Sequence, residues 1–233
     1  MKLITKSIAV IAVCGLLFTS CEATRNANNK QKGAVIGATG GAVIGAILGN
    51  NVGSGDNSEL GAVIGGVVGG TAGVLIGAKM DKQAQKIEEE IPGAQVERVD
   101  DAIVVTFDEN SGVYFKTAQY SINAESDALL SRLSNVMKDF ADTNIIVAGH
   151  TDDVGSDASN MTLSQNRAQS VTNFLINKGI SSNRFTTVYY GESQPAATNA
   201  TAEGRAKNRR VTLAIVPNEA MKNEAIREAK SGK

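Results

Sequence analysis

Glycine recurs at every fourth position in two separate stretches of this 233-residue chain. The first stretch runs from Gly33 to Gly49 and the second from Gly61 to Gly77, and both open with the letters GAVIG. A spacing of four places the glycines on one face of an α-helix, where a second helix backbone can approach closely. The ten glycines in phase therefore predict a glycine-zipper helical hairpin over residues 33–80, with a polar loop between its two arms.

The same glycines make each arm unstable as an isolated helix in water, because a helical Gly costs about 0.8–1 kcal/mol relative to Ala. Each arm therefore needs a partner: the other arm, another copy of the chain, or lipid, which offers backbone groups no alternative to the helix. An arm of about 17 residues is roughly 25 Å long and just spans a thin hydrocarbon layer. Membrane insertion, a self-packed hairpin, a flexible linker and a homo-oligomer all stay open at this point.

The N-terminus has the parts of an export signal. Two lysines precede an apolar run, Ile8–Phe18, which is too short for a membrane-spanning helix. Small residues then lead to Cys21, a pattern that resembles the lipobox of bacterial lipoproteins. The resemblance implies a signal peptide over residues 1–20 and lipid on Cys21; the alternative is an ordinary signal peptide with an incidental cysteine. Because Cys14 lies in the apolar run, cleavage leaves one cysteine and no intrachain disulfide.

Composition narrows the classes of function. The formal net charge is −1, so nothing favours nucleic acid as a partner. The chain has 1 His and 2 Cys, and its sequence contains no Ser-His-Asp, Cys-His or metal-ligand arrangement with plausible spacing. We therefore predict no enzyme, no metal site and no cofactor, and a catalytic carboxylate pair is the alternative that the sequence leaves open.

The remaining chain divides by composition and periodicity. A polar tether (21–32) precedes the hairpin, a charged, helix-favouring connector (81–95) follows it, and a charged, helix-prone tail (218–233) comes last. Residues 96–217 alternate between strand and helix patterns, in the order β-α-β-α-β-β, which predicts an α+β domain with a mixed sheet and both long helices on one face. The predicted elements are strands Ala102–Phe107, Asn144–Gly149, Phe185–Tyr190 and Arg210–Val216, an extended stretch Gly112–Tyr120, and helices Glu125–Phe140 and Thr162–Lys178.

Three short elements of this domain carry polar chemistry. Asp152 lies in a Thr-Asp-Asp turn after a predicted strand, fifteen residues ahead of Arg167 in a predicted helix. An Asn-x-x-Leu-Ser-x-x-Arg-Ala element begins at Asn160, and an Asn-Arg-Arg-Val element contains Arg209. In order and spacing these elements resemble the OmpA-like domain, which also occurs in peptidoglycan-associated lipoproteins and motor stator proteins.

The resemblance implies binding to the diaminopimelate of the peptidoglycan stem peptide. The free end of diaminopimelate carries an ammonium and a carboxylate on one carbon. Asp152 would accept hydrogen bonds from the ammonium, and Arg167 would hold the carboxylate through its planar fork. The positions matching Thr151, Asn160, Leu163 and Arg209 lie around this pair in the family.

With lipid on Cys21, the resemblance implies an outer-membrane lipoprotein whose C-terminal domain lies in the periplasm and tethers the membrane to the cell wall. The alternative function is a glycine-zipper assembly or pore element that the wall-binding domain positions.

For individual residues, a purely structural role is the alternative to ligand binding. Asp152 can cap its own turn, and Arg167 can serve as its structural ion-pair partner without any ligand. We expect Arg210 to be structural, because strand alternation points it away from Arg209. His150 is expected to pack or hydrogen-bond at the end of its strand.

Overall fold

A computed structural model describes residues 69–109, 111–115 and 118–232 of the chain. The predicted signal peptide, Cys21, the tether and most of the glycine hairpin lie outside these residues. The described elements, in chain order, are α1 (Gly70–Glu90), β1 (Gln95–Val99), β2 (Ala102–Phe107), α2 (Ala124–Asp139), β3 (Thr143–Gly149), α3 (Asp157–Asn177), a 3-10 turn (Ser182–Arg184), β4 (Phe185–Tyr189), α4 (Ala202–Asn208), β5 (Val211–Pro217) and α5 (Glu219–Ser231).

The five strands form one mixed sheet in the order β1-β2-β5-β3-β4. Strands β3 and β4 are parallel, and the other neighbouring pairs are antiparallel. From β2 to β5 the long elements follow the predicted β-α-β-α-β-β order, so the predicted α+β class is confirmed. Strand β1 extends the sheet at its edge beside β2.

Both long helices pack on one face of the sheet, as predicted. Leu130 and Leu133 of α2 and Val171 and Leu175 of α3 are buried in one core with alternate residues of the strands. Helix α3 begins at Asp157 rather than at the predicted Thr162, because Ser156 accepts a hydrogen bond from the Ser159 amide and caps the helix there. The polar first turns of α3 hide this start from a search for apolar periodicity.

Helix α1 includes most of the segment expected to be a helix-favouring connector. It runs from the end of the second glycine arm through most of residues 81–95, and its apolar face is buried in the core of the sheet. Helix α5 occupies the predicted tail and packs beside α1, where Lys79 and Glu224 form an ion pair of 2.7 Å. The folded unit therefore extends from α1 to α5. The high charge of both segments conceals one apolar stripe at helical spacing: Ala72, Ile76, Met80, Ala84 and Ile87 in α1.

None of the described helices is long and apolar enough to cross a membrane.

The predicted extended stretch Gly112–Tyr120 does not form a strand where it is described, in residues 111–115 and 118–120. The backbone of Tyr114 instead bonds to side chains at the start of α2: its carbonyl accepts from the Asn123 amide at 3.0 Å, and its N–H donates to the Ser126 hydroxyl at 3.3 Å. The segment is therefore a loop fixed by the helix, although its Phe115 is buried in the core.

Candidate functional site

The candidate site lies where β3 ends and α3 crosses it. Gly149, the last residue of β3, has no room for a side chain, because a Cβ there would lie 2.1 Å from the Ser164 carbonyl oxygen. Glycine thus lets α3 lie directly on the strand end. This close approach brings Arg167, one turn beyond Ser164, toward the loop that carries Asp152.

Three backbone segments meet behind this loop. The His150 N–H donates to the Arg210 carbonyl at 3.0 Å, and the Thr151 N–H donates to the Gly191 carbonyl at 2.9 Å. The Gly191 N–H in turn donates to the Ser164 hydroxyl at 2.9 Å. The end of β3, the loop after β4 and the start of β5 are therefore joined through hydrogen bonds.

Asp152 pairs directly with Arg209. Its Oδ2 lies 2.7 Å from Arg209 Nη1, and the two side chains are only 13% and 18% exposed. On its other edge the Arg209 guanidinium contacts Glu109, at 2.6 Å between Nη2 and Oε1. Burial lowers the pKa of Arg209, but the hydrogen bonds that Arg209 donates to Asp152 and Glu109 outweigh it and raise the pKa overall. Arg209 is therefore a fixed cation between two carboxylates.

Arg167 lies deeper, with 1% of its surface exposed. Its Nε donates to the Gln119 carbonyl at 3.1 Å, and its guanidinium carbon is 5.4 Å from the centroid of the Phe115 ring. Burial lowers the pKa of Arg167 to about 10, and the charge of Asp152 works in the opposite direction. Arg167 therefore stays protonated at neutral pH, under the electrostatic influence of Asp152.

The other predicted residues surround this group. Asn160 is 3% exposed, and its amide donates to the Asp152 carbonyl at 3.2 Å and to a Glu192 carboxylate oxygen. Thr151 is 2% exposed, and its hydroxyl has no hydrogen-bond partner in the described part of the chain. Leu163 is half-buried on α3.

Asp152 also accepts a hydrogen bond from the Val154 N–H at 3.4 Å, so the turn-capping role considered from the sequence is present beside the ion pair.

Sequence reasoning missed Glu109 and Glu192. Glu109 follows β2 and lies 100 residues before Arg209 in the chain, so no local pattern connects the two. Glu192 stands in a loop whose sequence only predicts a turn.

The site holds two arginines, Arg167 and Arg209, and three carboxylates, of Asp152, Glu109 and Glu192, an arrangement that suits a ligand with both charges. Within the described residues, no group of three or more His, Cys, Asp or Glu side chains has the geometry of a metal site.

Comparison with known proteins gives two family matches. Residues 114–209 match the OmpA family, and residues 1–81 match the YMGG-like Gly-zipper. The probable lipoprotein YiaD of Escherichia coli is 35% identical over 144 residues, which cover 61% of this chain and 65% of YiaD. The peptidoglycan-binding protein ArfA of Mycobacterium tuberculosis is 37% identical over 106 residues, which cover 46% of this chain and 30% of ArfA. The chain thus spans less than two thirds of the length of either relative.

Among solved structures, the cell wall anchor of the T6SS from Pseudomonas aeruginosa superimposes with a TM-score of 0.51. The two chains are 30% identical, and the match covers 60% of this chain and 97% of the anchor.

Proposed function

This chain carries an OmpA-family domain behind a glycine-zipper segment, and we propose that the domain binds peptidoglycan non-covalently through diaminopimelate. The observation that carries the proposal is the charge network of Asp152, Arg167 and Arg209 at the end of β3. ArfA is named a peptidoglycan-binding protein and the T6SS protein a cell wall anchor, and both likenesses support the same class of ligand.

The ligand's two charges match the two signs of the network. Its ammonium binds the carboxylate of Asp152, and its carboxylate binds the guanidinium of Arg167. Hydrogen bonds between such charged groups are about twice as strong as those between neutral groups. The buried hydroxyl of Thr151 offers one further donor and acceptor. Asn160 holds the Asp152 backbone in place through its amide.

Ligand binding requires an exchange of partners, because Arg209 forms an ion pair with Asp152 in the free protein. The arriving ammonium replaces one Arg209 hydrogen bond at Asp152. Glu109 keeps the Arg209 guanidinium on its other edge, so that arginine is not left without a carboxylate. Glu109 therefore lowers the cost of freeing Asp152 for the ligand.

We further propose that lipid on Cys21 anchors the protein in the outer membrane, with the OmpA-like domain in the periplasm. YiaD, named a probable lipoprotein, is consistent with such an anchor. Confinement at the membrane raises the effective concentration of the domain near the wall, so modest single contacts can together tether the two layers.

Co-sedimentation with diaminopimelate-type cell-wall sacculi tests the proposal. The full chain, kept in solution by a mild detergent, should pellet with sacculi, and Asp152→Ala and Arg167→Ala should stay in the supernatant. Asp153→Ala is the matched control, since Asp153 is the exposed neighbour of Asp152 and belongs to no ion pair among the described residues. Equal pelleting of all variants, each shown to be folded by circular dichroism, would make Asp152 and Arg167 purely structural.

The second candidate function is a glycine-zipper assembly or pore element positioned by the wall. The match to the YMGG-like Gly-zipper over residues 1–81 favours it. Its test is detergent-resistant oligomerisation of the full chain. Gly41→Leu with Gly45→Leu should abolish the oligomer if the zipper drives assembly, and the loss should leave pelleting with sacculi unchanged.

A further inference from the structure

A second cluster of polar side chains lies at the same end of the sheet, on the face opposite α2 and α3. His150 directly follows β3, Tyr190 follows β4 and Arg210 precedes β5; the His150 N–H donates to the Arg210 carbonyl, and the Tyr190 N–H donates to the Gly149 carbonyl. The His150 and Tyr190 rings stack with centroids 5.4 Å apart. Tyr190 also belongs to the small apolar cluster of this face, which includes Ile146 and Ala214.

These polar groups are buried without partners. Both ring nitrogens of His150, the Tyr190 hydroxyl, one side-chain oxygen of Gln194 and Nη1 of Arg210 make no hydrogen bond within the described part of the chain. Buried polar atoms in folded proteins nearly always have a partner, in protein, water or ligand. Several such atoms in one cluster therefore indicate that the cluster hydrogen-bonds to a partner outside the described part of the chain.

The charge of Arg210 decides which kind of occupant fits. Arg210 is 8% exposed, donates one hydrogen bond, from Nη2 to the Gln194 carbonyl at 3.1 Å, and belongs to none of the ion pairs among the described residues. Burial alone lowers its pKa to about 10, so the guanidinium stays charged at neutral pH. A buried cation without a counter-charge is unfavourable.

Arg184 shows the alternative solution within the same protein. Its guanidinium donates to the carbonyls of Thr143, Met137 and Phe140 at 2.7, 2.8 and 3.0 Å, and to the Thr143 hydroxyl at 2.9 Å. Those four hydrogen bonds use four of its five N–H donors. Arg210 has one such acceptor, which leaves Nη1 available.

We propose that Arg210, Tyr190 and His150 form a binding site for a small inorganic anion such as chloride or phosphate. All three side chains can donate a hydrogen bond: the guanidinium, the phenol and the imidazole N–H. The Gln194 amide can present its N–H₂ by rotation, because its oxygen and nitrogen are assigned from the hydrogen-bond network alone. The buried positive charge of Arg210 selects an anion over a cation, and the neutral His150 and Tyr190 side chains can each turn one donor toward it.

This site is separate from the Asp152 network. Arg209 and Arg210 are consecutive, and their side chains go to different surroundings: Arg209 to Asp152 and Glu109, and Arg210 to Gln194. The anion would fix the loop after β4 to the start of β5. The Gly191 carbonyl of that loop also accepts a hydrogen bond from the Thr151 N–H. Anion binding would therefore stabilise the backbone next to Asp152.

Thermal unfolding of the full chain in mild detergent tests the site. Chloride or phosphate is exchanged for gluconate, a larger organic anion, at constant ionic strength and pH. The Tm should rise with the logarithm of chloride or phosphate concentration, as expected for a ligand of the folded state only. The anion with the larger rise identifies the preferred occupant.

Two variants locate the effect. Arg210→Met should remove the anion dependence of Tm, whereas Arg184→Met should lower Tm and keep the dependence. Tyr190→Phe keeps the stacked ring and should weaken the anion dependence severalfold, which decides the matter if Arg210→Met does not fold. A Tm of the wild-type chain that is equal in all three anions would overturn the proposal. So would an anion dependence that Arg210→Met retains, or that Tyr190→Phe leaves unchanged when Arg210→Met is unfolded.

Discussion

Two neighbouring arginines, Arg209 and Arg210, have opposite electrostatic surroundings. Arg209 lies between the carboxylates of Asp152 and Glu109, whereas Arg210 is buried beside neutral groups and belongs to no ion pair in the described chain. The difference arises where the chain turns from α4 into β5: Arg209 caps the end of α4 with φ −72° and ψ 75°, and Arg210 directly precedes β5. On our proposals, the first region exchanges internal partners for a zwitterion and the second binds an anion.

Arg167→Met and Arg210→Met should separate the two regions most clearly. Both guanidiniums are buried, and burial lowers the pKa of each to about 10. Arg167→Met should weaken the free energy of wall binding by roughly 2 kcal/mol or more, because the ligand carboxylate then has no cationic partner. Arg210→Met should leave wall binding close to that of the wild type. Dissociation constants for soluble muropeptides would measure both, and equal losses in the two folded variants would contradict the separation of the sites.

Gly149→Ala should disturb both regions at once, because both regions lie at the end of β3. The added methyl would lie 2.1 Å from the Ser164 carbonyl and would push α3 away from the strand. We expect a loss of about 1–3 kcal/mol in the free energy of unfolding, as for other overpacked sites. Urea denaturation measures it. Gly69→Ala is the matched control, since a Cβ at Gly69 meets no atom of the described residues within 4 Å, and a similar loss there would refute the steric argument.

His150 should give the second region a characteristic pH dependence. Burial first, and the charge of Arg210 second, hold the pKa of His150 well below 6.5 in the folded protein. As pH falls through 6.5, the unfolded chain takes up this proton and the folded chain does not. Stability is therefore complete above pH 6.5 and falls below it, by up to about 1.4 kcal/mol per pH unit.

His150→Phe, which can keep the ring contact with Tyr190, should remove this contribution. The measurement is the difference in free energy of unfolding between wild type and variant at pH 7, 6 and 5.5, which cancels the titration of carboxylates common to both. A difference that does not change with pH would mean that His150 is protonated alike in the folded and unfolded chains.

The sequence predicts those parts of the fold whose signal is local. Alternation of β-branched residues marks β2 and β3, and apolar spacing marks α2. The spacing of Asp152 and Arg167 across one strand–loop–helix unit likewise indicates that they lie in the same region. The burial of α1 is not apparent, because charges on its exposed face dominate its composition.

Contacts between distant segments stay hidden in a single sequence. Glu109 joins the site only because β2 and β5 are neighbours in the sheet. The Arg209 pair with Asp152 depends on the antiparallel pairing of β3 and β5. The alternation rule does predict that Arg210 would point away from Arg209, but the absence of a counter-charge around Arg210 becomes visible only in three dimensions.

Isothermal titration calorimetry of the full chain with two soluble stem peptides tests whether this site recognises a zwitterion. The peptides differ only in their third residue, which is diaminopimelate in one and lysine in the other. Lysine keeps the ammonium and lacks the second carboxylate, so it can satisfy Asp152 but not Arg167. We predict that the diaminopimelate peptide binds at least roughly thirtyfold more tightly, the ratio that corresponds to about 2 kcal/mol. Equal affinity for the two peptides would contradict recognition of a zwitterion by this site.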